Sequence, residues 1–263
     1  MRSALLFDLD DTLVVEEPAA VAAFEATARF ASSHQDLDAA ALATSARARA
    51  RELWYATPAH PYCRRIGISS WEGLWCRFEG DEPDMKWLRD WSPTYRREAW
   101  RSALADVGVD DLELAHELGD RFGKERRARH EVFAEAAMVL ENLSSEYDLA
   151  LVTNGASCLQ REKLAASGLA GYFATVVVSA EFGVAKPDPT IFRHTLELLN
   201  CHSATMIGDS IRRDIEGATA AGLRAIWVNR AGIERAEDTP EVTEITTLAD
   251  LPQALRSQDG MGA

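Results

Sequence analysis

The chain has no apolar run approaching the ~18 residues that cross a bilayer as a helix, no C-x-x-C pair, no internal repeat and no N-terminal signal pattern. The first absence predicts no membrane partner. The second leaves Cys63, Cys76, Cys158 and Cys201 without metal-ligand spacing. With no signal pattern, they are expected to be reduced thiols in a cytoplasmic protein. Positive charge is also scarce. Lys and Arg total 28 against 42 Asp and Glu, a formal net charge of −14. That balance excludes a nucleic-acid partner and an anionic membrane surface as expectations. It leaves an anionic small substrate open, because a local cation cluster or a metal dominates the field inside a pocket. His34, His60, His116, His130, His194 and His202 form no ligand spacing, and are expected at the surface or in packing.

What is present fits a soluble globular chain: 263 residues, 47% hydrophobic and 27% charged. This length holds one sizeable core with an inserted module, or two small domains. Ala4 to Phe7 form an apolar run that predicts a strand buried on both faces, as in a parallel sheet. From Glu131 onward helices and strands alternate. The predicted elements are helix Glu135–Ser145, strand Leu149–Val152, helix Ser157–Ser167 stopped by Gly168, and strand Ala174–Ser179. Helix Thr190–Leu199 follows, opened by Asp188 as N-cap and Pro189, then strand Ala204–Ile207, helix Ile211–Ala221 closed by Gly222, and strand Arg224–Val228. Such alternation implies a doubly wound parallel α/β sheet. The polar tail from about Ser257 to Ala263 is expected to be disordered.

No parallel-strand signal appears between Glu16 and about His130. Val21, Phe24, Ala28 and Ala31 recur at helical spacing. A second helix is predicted over about Asp38–Trp54, and a third around Leu114, Leu118 and Phe122. Thr57 to Tyr95, rich in Pro, Gly, Trp and Arg, predicts short helices and loops. A structureless loop this long does not belong in a compact domain. The expected organisation is therefore an α/β core over 1–16 and 130–263 with a helical cap over 17–129, hinged near Val14–Pro18 and Ala128–Glu135. The insert carries Trp54, Trp71, Trp75, Trp87, Trp91 and Trp100. They suit the insert's own interior, with an aromatic wall facing substrate as the alternative. Arg64 and Arg65 are either solvated or face an anionic substrate group.

Each parallel strand delivers the turn after it to the same sheet edge, where ligands bind. The first brings Asp8, Asp10 and Thr12. The second brings Thr153, Asn154 and Gly155; the third is followed by Gly183, Lys186 and Pro187. The fourth brings Gly208, Asp209 and Ser210, with Asp214 one helical turn on. Acidic groups ending a buried strand are costly unless a cation or hydrogen bonds compensate them. Clustered carboxylates ask for a divalent cation, and hard oxygen ligands select Mg2+. Lys186 and the Thr153 hydroxyl suit a phosphoryl group, whose charge spreads over its equatorial oxygens. Asp214 is also favourable in a helix first turn without any metal. Asp11 is expected to be solvated or to form the turn, and to take no part in the chemistry.

Asp8-Leu9-Asp10-Asp11-Thr12, Thr153-Asn154, Lys186-Pro187 and Gly208-Asp209-Ser210 through Asp214 resemble, in order, the four motifs of the haloacid dehalogenase superfamily. The resemblance covers Met1–Val15 and about His130–Val228. It implies a Rossmann-like core with the cap inserted after the first motif. It also implies that Asp8 is the nucleophile that forms an aspartyl-phosphate, and that Asp10 protonates the leaving alcohol and then activates water. Mg2+ would be held by Asp8, the backbone carbonyl of Asp10, and Asp209. Asp214 would support the metal's waters. Thr153, Lys186 and the Asn154 amide would bind the phosphoryl oxygens.

The expected activity is Mg2+-dependent hydrolysis of a small phosphorylated metabolite, by a monomer or homodimer. A phosphomutase shares all four motifs and is the alternative. A 2-haloacid dehalogenase also uses the first Asp, but needs neither metal nor an acid at Asp10. A catalytically inactive binding protein would not be expected to keep Asp8, Asp10, Lys186 and Asp209 together.

Overall fold

The computed structural model describes residues 3–235 and 241–260. The chain opens with β1 (Ala4–Phe7) and the short β2 (Val14–Val15). It then runs through α1 (Glu17–Ser32), α2 (Ala39–Ala56), α3 (His60–Ile66), α4 (Ser70–Gly73), α5 (Pro83–Asp106) and α6 (Leu112–Arg127). β3 (Glu131–Val132) pairs with β2 in a separate two-stranded sheet. From there come α7 (Ala136–Ser144), β4 (Asp148–Thr153), α8 (Ser157–Ser167), β5 (Thr175–Val178), α9 (Ser179–Phe182), α10 (Pro189–Leu198) and β6 (Ala204–Gly208). A π-helical turn over Ile211–Glu216 runs into α11 (Gly217–Ala220), followed by β7 (Arg224–Val228), β8 (Thr243–Ile245) and α12 (Leu251–Gly260).

These elements gather into two compact units. One comprises Met1–Val15, Val132–Asn154 and Lys163–Ala263; the other comprises Glu16–Glu131 and Gly155–Glu162. The first unit is an α/β fold built on one six-stranded parallel sheet, ordered β5-β4-β1-β6-β7-β8. All of β1 is buried. Leu5 and Phe7 pack on one face with Leu140, Leu143 and Leu255. Ala4 and Leu6 pack on the other with Ile191, Phe192 and Ala218. A strand with no solvent face gives the continuous apolar run seen in the sequence. After β1 the chain winds outward through β4 and β5, then returns to the other side of β1 with β6. The winding direction thus reverses between β1 and β6, the place at the carboxyl ends of the strands where open α/β sheets bind their ligands. Phe7 pairs with both Leu151 and Ile207, so the turns after β1, β4 and β6 come level at that edge.

The second unit is helical throughout its long segment. α2 packs on α1 and α5, and α6 packs on α1 and α5. Its interior is aromatic. Phe24 and Phe122 lie 4.4 Å apart between ring centres, Trp91 stacks on Tyr95, and Trp54 meets Tyr95 at a tilt. Trp54, Trp75 and Trp100 are buried, which answers the interior reading for these three. Trp71 and Trp91 are half-buried and Trp87 is exposed. Arg64 and Arg65 are both exposed.

Three expectations are corrected. The stretch Thr57–Tyr95 is not all short helices and loops, because its last part belongs to the 24-residue α5. Pro93 lies inside that helix and cannot donate to the carbonyl of Arg89; the Ser92 hydroxyl donates to that carbonyl instead, at 3.3 Å. Second, the sheet gains β8 after β7, a three-residue strand too short to show a period. Third, Ser257–Gly260 is helical, not disordered. In α12, Leu251, Ala254 and Leu255 join the core, and Gln258 Nε2 donates to the Ala225 carbonyl and Thr243 Oγ1. The rest of the expected tail, 261–263, lies outside the described residues. Among the described residues no helix is long and apolar enough to cross a membrane, and all four cysteines are free thiols.

Candidate active site

Asp8 continues β1 by one hydrogen bond: its N–H donates to the Ile207 carbonyl at 2.9 Å. The chain then turns sharply. Asp11 N–H donates to the Val14 carbonyl at 2.7 Å, and Leu13 and Val14 both donate to the Leu9 carbonyl. Asp11 has φ of 57°, a left-handed conformation that Asp tolerates better than most residues. This is the turn-forming place expected for it. Arg230 braces the same turn. Its guanidinium donates to the Thr12 carbonyl at 3.1 Å and to Glu135 Oε1 at 2.7 Å.

Lys186 is buried and donates from Nζ to Asp8 Oδ1 and to Asp214 Oδ1, each at 2.6 Å. Asp214 Oδ2 accepts from the Ser210 N–H at 3.0 Å. Asp214 reaches this place because residue 208 is glycine: a Cβ there would lie 2.3 Å from Asp214 Oδ2. Gly217 serves the turn that carries Lys186 in the same way, since a Cβ would lie 2.8 Å from the Pro187 Cα. Asp209 follows β6, and its carbonyl accepts from the Trp227 indole N–H at 2.8 Å. Asp8, Asp209 and Asp214 each offer a carboxylate oxygen, all within 4.8 Å of one another. No histidine belongs to this cluster.

The electrostatics show an excess of buried negative charge. Burial pushes the Asp8 carboxyl up to about 7; Lys186 opposes this, and Asp214 and Asp10 add to it. Burial pushes Asp209 up to about 9, with Asp8, Asp214 and Asp11 adding to it. Burial pulls on Lys186 in the opposite sense, yet Asp214 and Asp8 outweigh it and hold the ammonium above its ordinary value. Three carboxylates against one ammonium is the donor set of a divalent-cation site: all oxygen, anionic and undercompensated. The residues present therefore fit Mg2+.

Thr153 is buried at the end of β4. The side chain of Asn154 is spent on Lys186. Its Nδ2 donates to the Lys186 carbonyl at 3.0 Å, and its Oδ1 accepts the Lys186 N–H at 2.9 Å. This reciprocal pair locks the β4 turn to the segment carrying Lys186. Both Asp10 carboxylate oxygens accept from Lys163 Nζ, at 3.0 and 3.1 Å.

Lys163 was not anticipated, nor were Arg230, Trp227 and Gly217. A signal for Lys163 exists in the sequence. Gln160, Lys163 and Leu164 follow at i, i+3 and i+4 on α8, and all three are buried. A lysine on the inner stripe of a helix has to meet an acid.

Comparison with known proteins places the chain in a family. The profile of the haloacid dehalogenase-like hydrolases matches residues 3–222. A phosphoserine phosphatase of Thermus thermophilus is 37% identical over 257 residues, covering 97% of this chain and 98% of its own. Human N-acylneuraminate-9-phosphatase is 34% identical over 171 residues, 62% of this chain and 68% of its own. Among solved structures, 2-haloacid dehalogenase from Pseudomonas syringae superposes with a TM-score of 0.60 at 30% identity, covering 98% of this chain and 100% of that one.

Proposed function

The chain belongs to the haloacid dehalogenase-like hydrolases and is an enzyme of their phosphatase type, and on that premise we propose that it hydrolyses a small phosphomonoester through an aspartyl-phosphate on Asp8. The observation that carries this reading is the buried excess of carboxylate around Lys186 at the end of β1 and β6. An Asp8 oxygen attacks phosphorus and the ester P–O bond breaks. Asp10 gives its proton to the departing oxygen. Asp10 then takes a proton from water, whose oxygen attacks the phosphorus of the phosphorylated Asp8. The P–O bond to Asp8 breaks, releasing inorganic phosphate and restoring both carboxyl groups to their starting states.

Lys186, the Thr153 hydroxyl and the Asn154 main-chain amide hold the phosphoryl oxygens, while the Asn154 side chain keeps the Lys186 segment in place. Asp214 anchors the Lys186 ammonium. Mg2+ held by Asp8, the Asp10 carbonyl and Asp209 supplies, when bound, the positive charge that the carboxylate cluster and the phosphoryl oxygens require. The helical unit acts as the cap that chooses the substrate.

The reading as a phosphatase, not a dehalogenase, rests on Asp10 and on the acidic cluster, neither of which carbon–halogen displacement requires. The near full-length likeness to a phosphoserine phosphatase makes O-phosphoserine the first substrate to test. Phosphate release from a panel of phosphorylated amino acids, sugars and nucleotides, with Mg2+ and with chelator, tests the proposal. One alkyl phosphate turned over far faster than the rest, only with metal, is the expected outcome. Metal-independent release, or none from folded protein, would refute it. Transfer of the phosphoryl group to a second sugar hydroxyl in place of water would mark a mutase.

A further inference from the structure

Two buried lysines divide the carboxylates of this site. Lys186 meets Asp8 and Asp214, and Lys163 meets Asp10. Only the first was assigned a role above. The Lys163 side chain is 1% exposed, against 23% for Asp10. Taking an ammonium this far from water costs several kcal/mol unless good geometry offsets it. The geometry is good: one nitrogen reaches both oxygens of one carboxylate, at nearly equal distances. That contact fixes the plane of the carboxyl group. The main chain of Asp10 is already held by its bridge to Val14. Main chain and carboxylate are therefore both pinned, the second by a residue 153 positions away in sequence.

We propose that Lys163 is a positioning residue that holds the Asp10 carboxyl in line with the oxygen leaving the phosphoryl group. This rests on the reading of Asp10 as the acid and base of a phosphatase. A proton donor must lie within hydrogen-bond reach of the atom it serves, and a misplacement of about 1 Å can cost on the order of 100-fold in rate. Lys163 is suited to set that reach because α8, which carries it, begins just after the Thr153-Asn154 turn. One rigid element thus ties the phosphoryl-binding turn to the orientation of the acid.

A positioning role and a merely structural one differ in what the leaving group feels. An ester with a good leaving group needs little acid help; an alkyl ester needs it fully. The test measures kcat/KM, which reports the steps through phosphoenzyme formation, for an alkyl phosphate and for 2,4-dinitrophenyl phosphate. The enzymes are wild type, Asp10→Asn, Lys163→Met, Lys163→Gln and the Asp10→Asn/Lys163→Met double variant, all with Mg2+. Asp10→Asn is expected to lose at least about 100-fold more on the alkyl ester than on the activated one. Lys163→Met is expected to show the same split at about tenfold, and to add no further split in the Asp10→Asn background. Lys163→Gln, which keeps a neutral donor, should show a smaller split in the same sense, and it decides the question if the Met variant does not fold. Equal loss on both esters, or a split that persists without Asp10, would overturn the positioning role while leaving Asp10 its own. Absence of a split in Asp10→Asn would overturn the acid assignment, and the positioning role with it.

Discussion

In the helical unit, Glu16 and Arg126 are both buried, with side chains 4% and 1% exposed, and meet as one carboxylate on one guanidinium. The Arg126 guanidinium also lies over the Trp75 ring, 5.0 Å from its centre. In the α/β unit, Asp8, Asp209 and Asp214 cluster, and the Lys186 ammonium meets two of them, Asp8 and Asp214. Both regions bury charge, but only the first balances it. A balanced buried pair is complete without a ligand, and breaking it leaves an isolated charge. An unbalanced set is incomplete, and its members resist ionising until a cation arrives. The difference separates a structural pair from a binding site where burial alone does not.

The largest break in this comparison is Asp8→Asn. Turnover should fall by on the order of 10^4-fold or more, as when other covalent enzymes lose their nucleophile. Circular dichroism should be unchanged, since the substitution removes charge from an overcharged site. Next comes Arg126→Met, which strands Glu16 in the helical unit and should cost about 3–5 kcal/mol by denaturant unfolding. Adding Glu16→Gln should recover most of that loss; no recovery would mean that the pair is not what holds this region.

The third effect has the opposite sign. Asp209→Asn should stabilise the metal-free protein at pH 8, because the unfolded chain loses the proton that the folded one keeps, and should abolish the expected thermal shift with Mg2+. The pH dependence follows from the same excess. Asp8 and Asp209 are raised in the folded state, to about 7 and about 9, so the folded chain holds more protons than the unfolded one above their ordinary values. Metal-free stability should therefore fall as pH rises from about 4 towards 9. The Mg2+-induced rise in Tm should be larger at pH 8 than at pH 5.5; an equal rise at both would place the cation elsewhere. The smallest effect is Ser92→Ala, which removes a neutral partner from the Arg89 carbonyl and should cost less than about 1.5 kcal/mol in a thermal melt.

Much of the α/β unit is legible because its strands are buried on both faces. The Ala4–Phe7 run, the bounds Ser157–Ser167 and Arg224–Val228, and the Asp188-Pro189 helix start all follow from local signals. α5 was hidden by Pro93, whose cost is met by Ser92, a compensation invisible without coordinates. β8 and α12 earn their places through the sheet edge and the core they cover. At the site, residues on strand-end turns were legible because topology brings those turns together. Lys163 acts from a helix, Trp227 from a neighbouring strand and Arg230 from the turn just after that strand, and their partners lie 18 to 218 positions away in sequence. The pairing of the Asn154 side chain with Lys186 was not legible for a related reason: a short amide that meets a main-chain N–H and carbonyl there is better satisfied than one facing solvent, and that segment lies 32 positions away in sequence.

A covalent phosphoryl group on Asp8 is tested most directly by trapping it. Asp10→Asn enzyme with Mg2+ and an activated aryl phosphate, quenched in acid and analysed by peptide mass spectrometry, should carry one phosphoryl group on the peptide containing Asp8. That adduct should form quickly, hydrolyse slowly, and be absent when Asp8 is also replaced by Asn. Release of the aryl alcohol with no phosphorylated peptide at any time point would contradict the account, because water would then be attacking the ester directly.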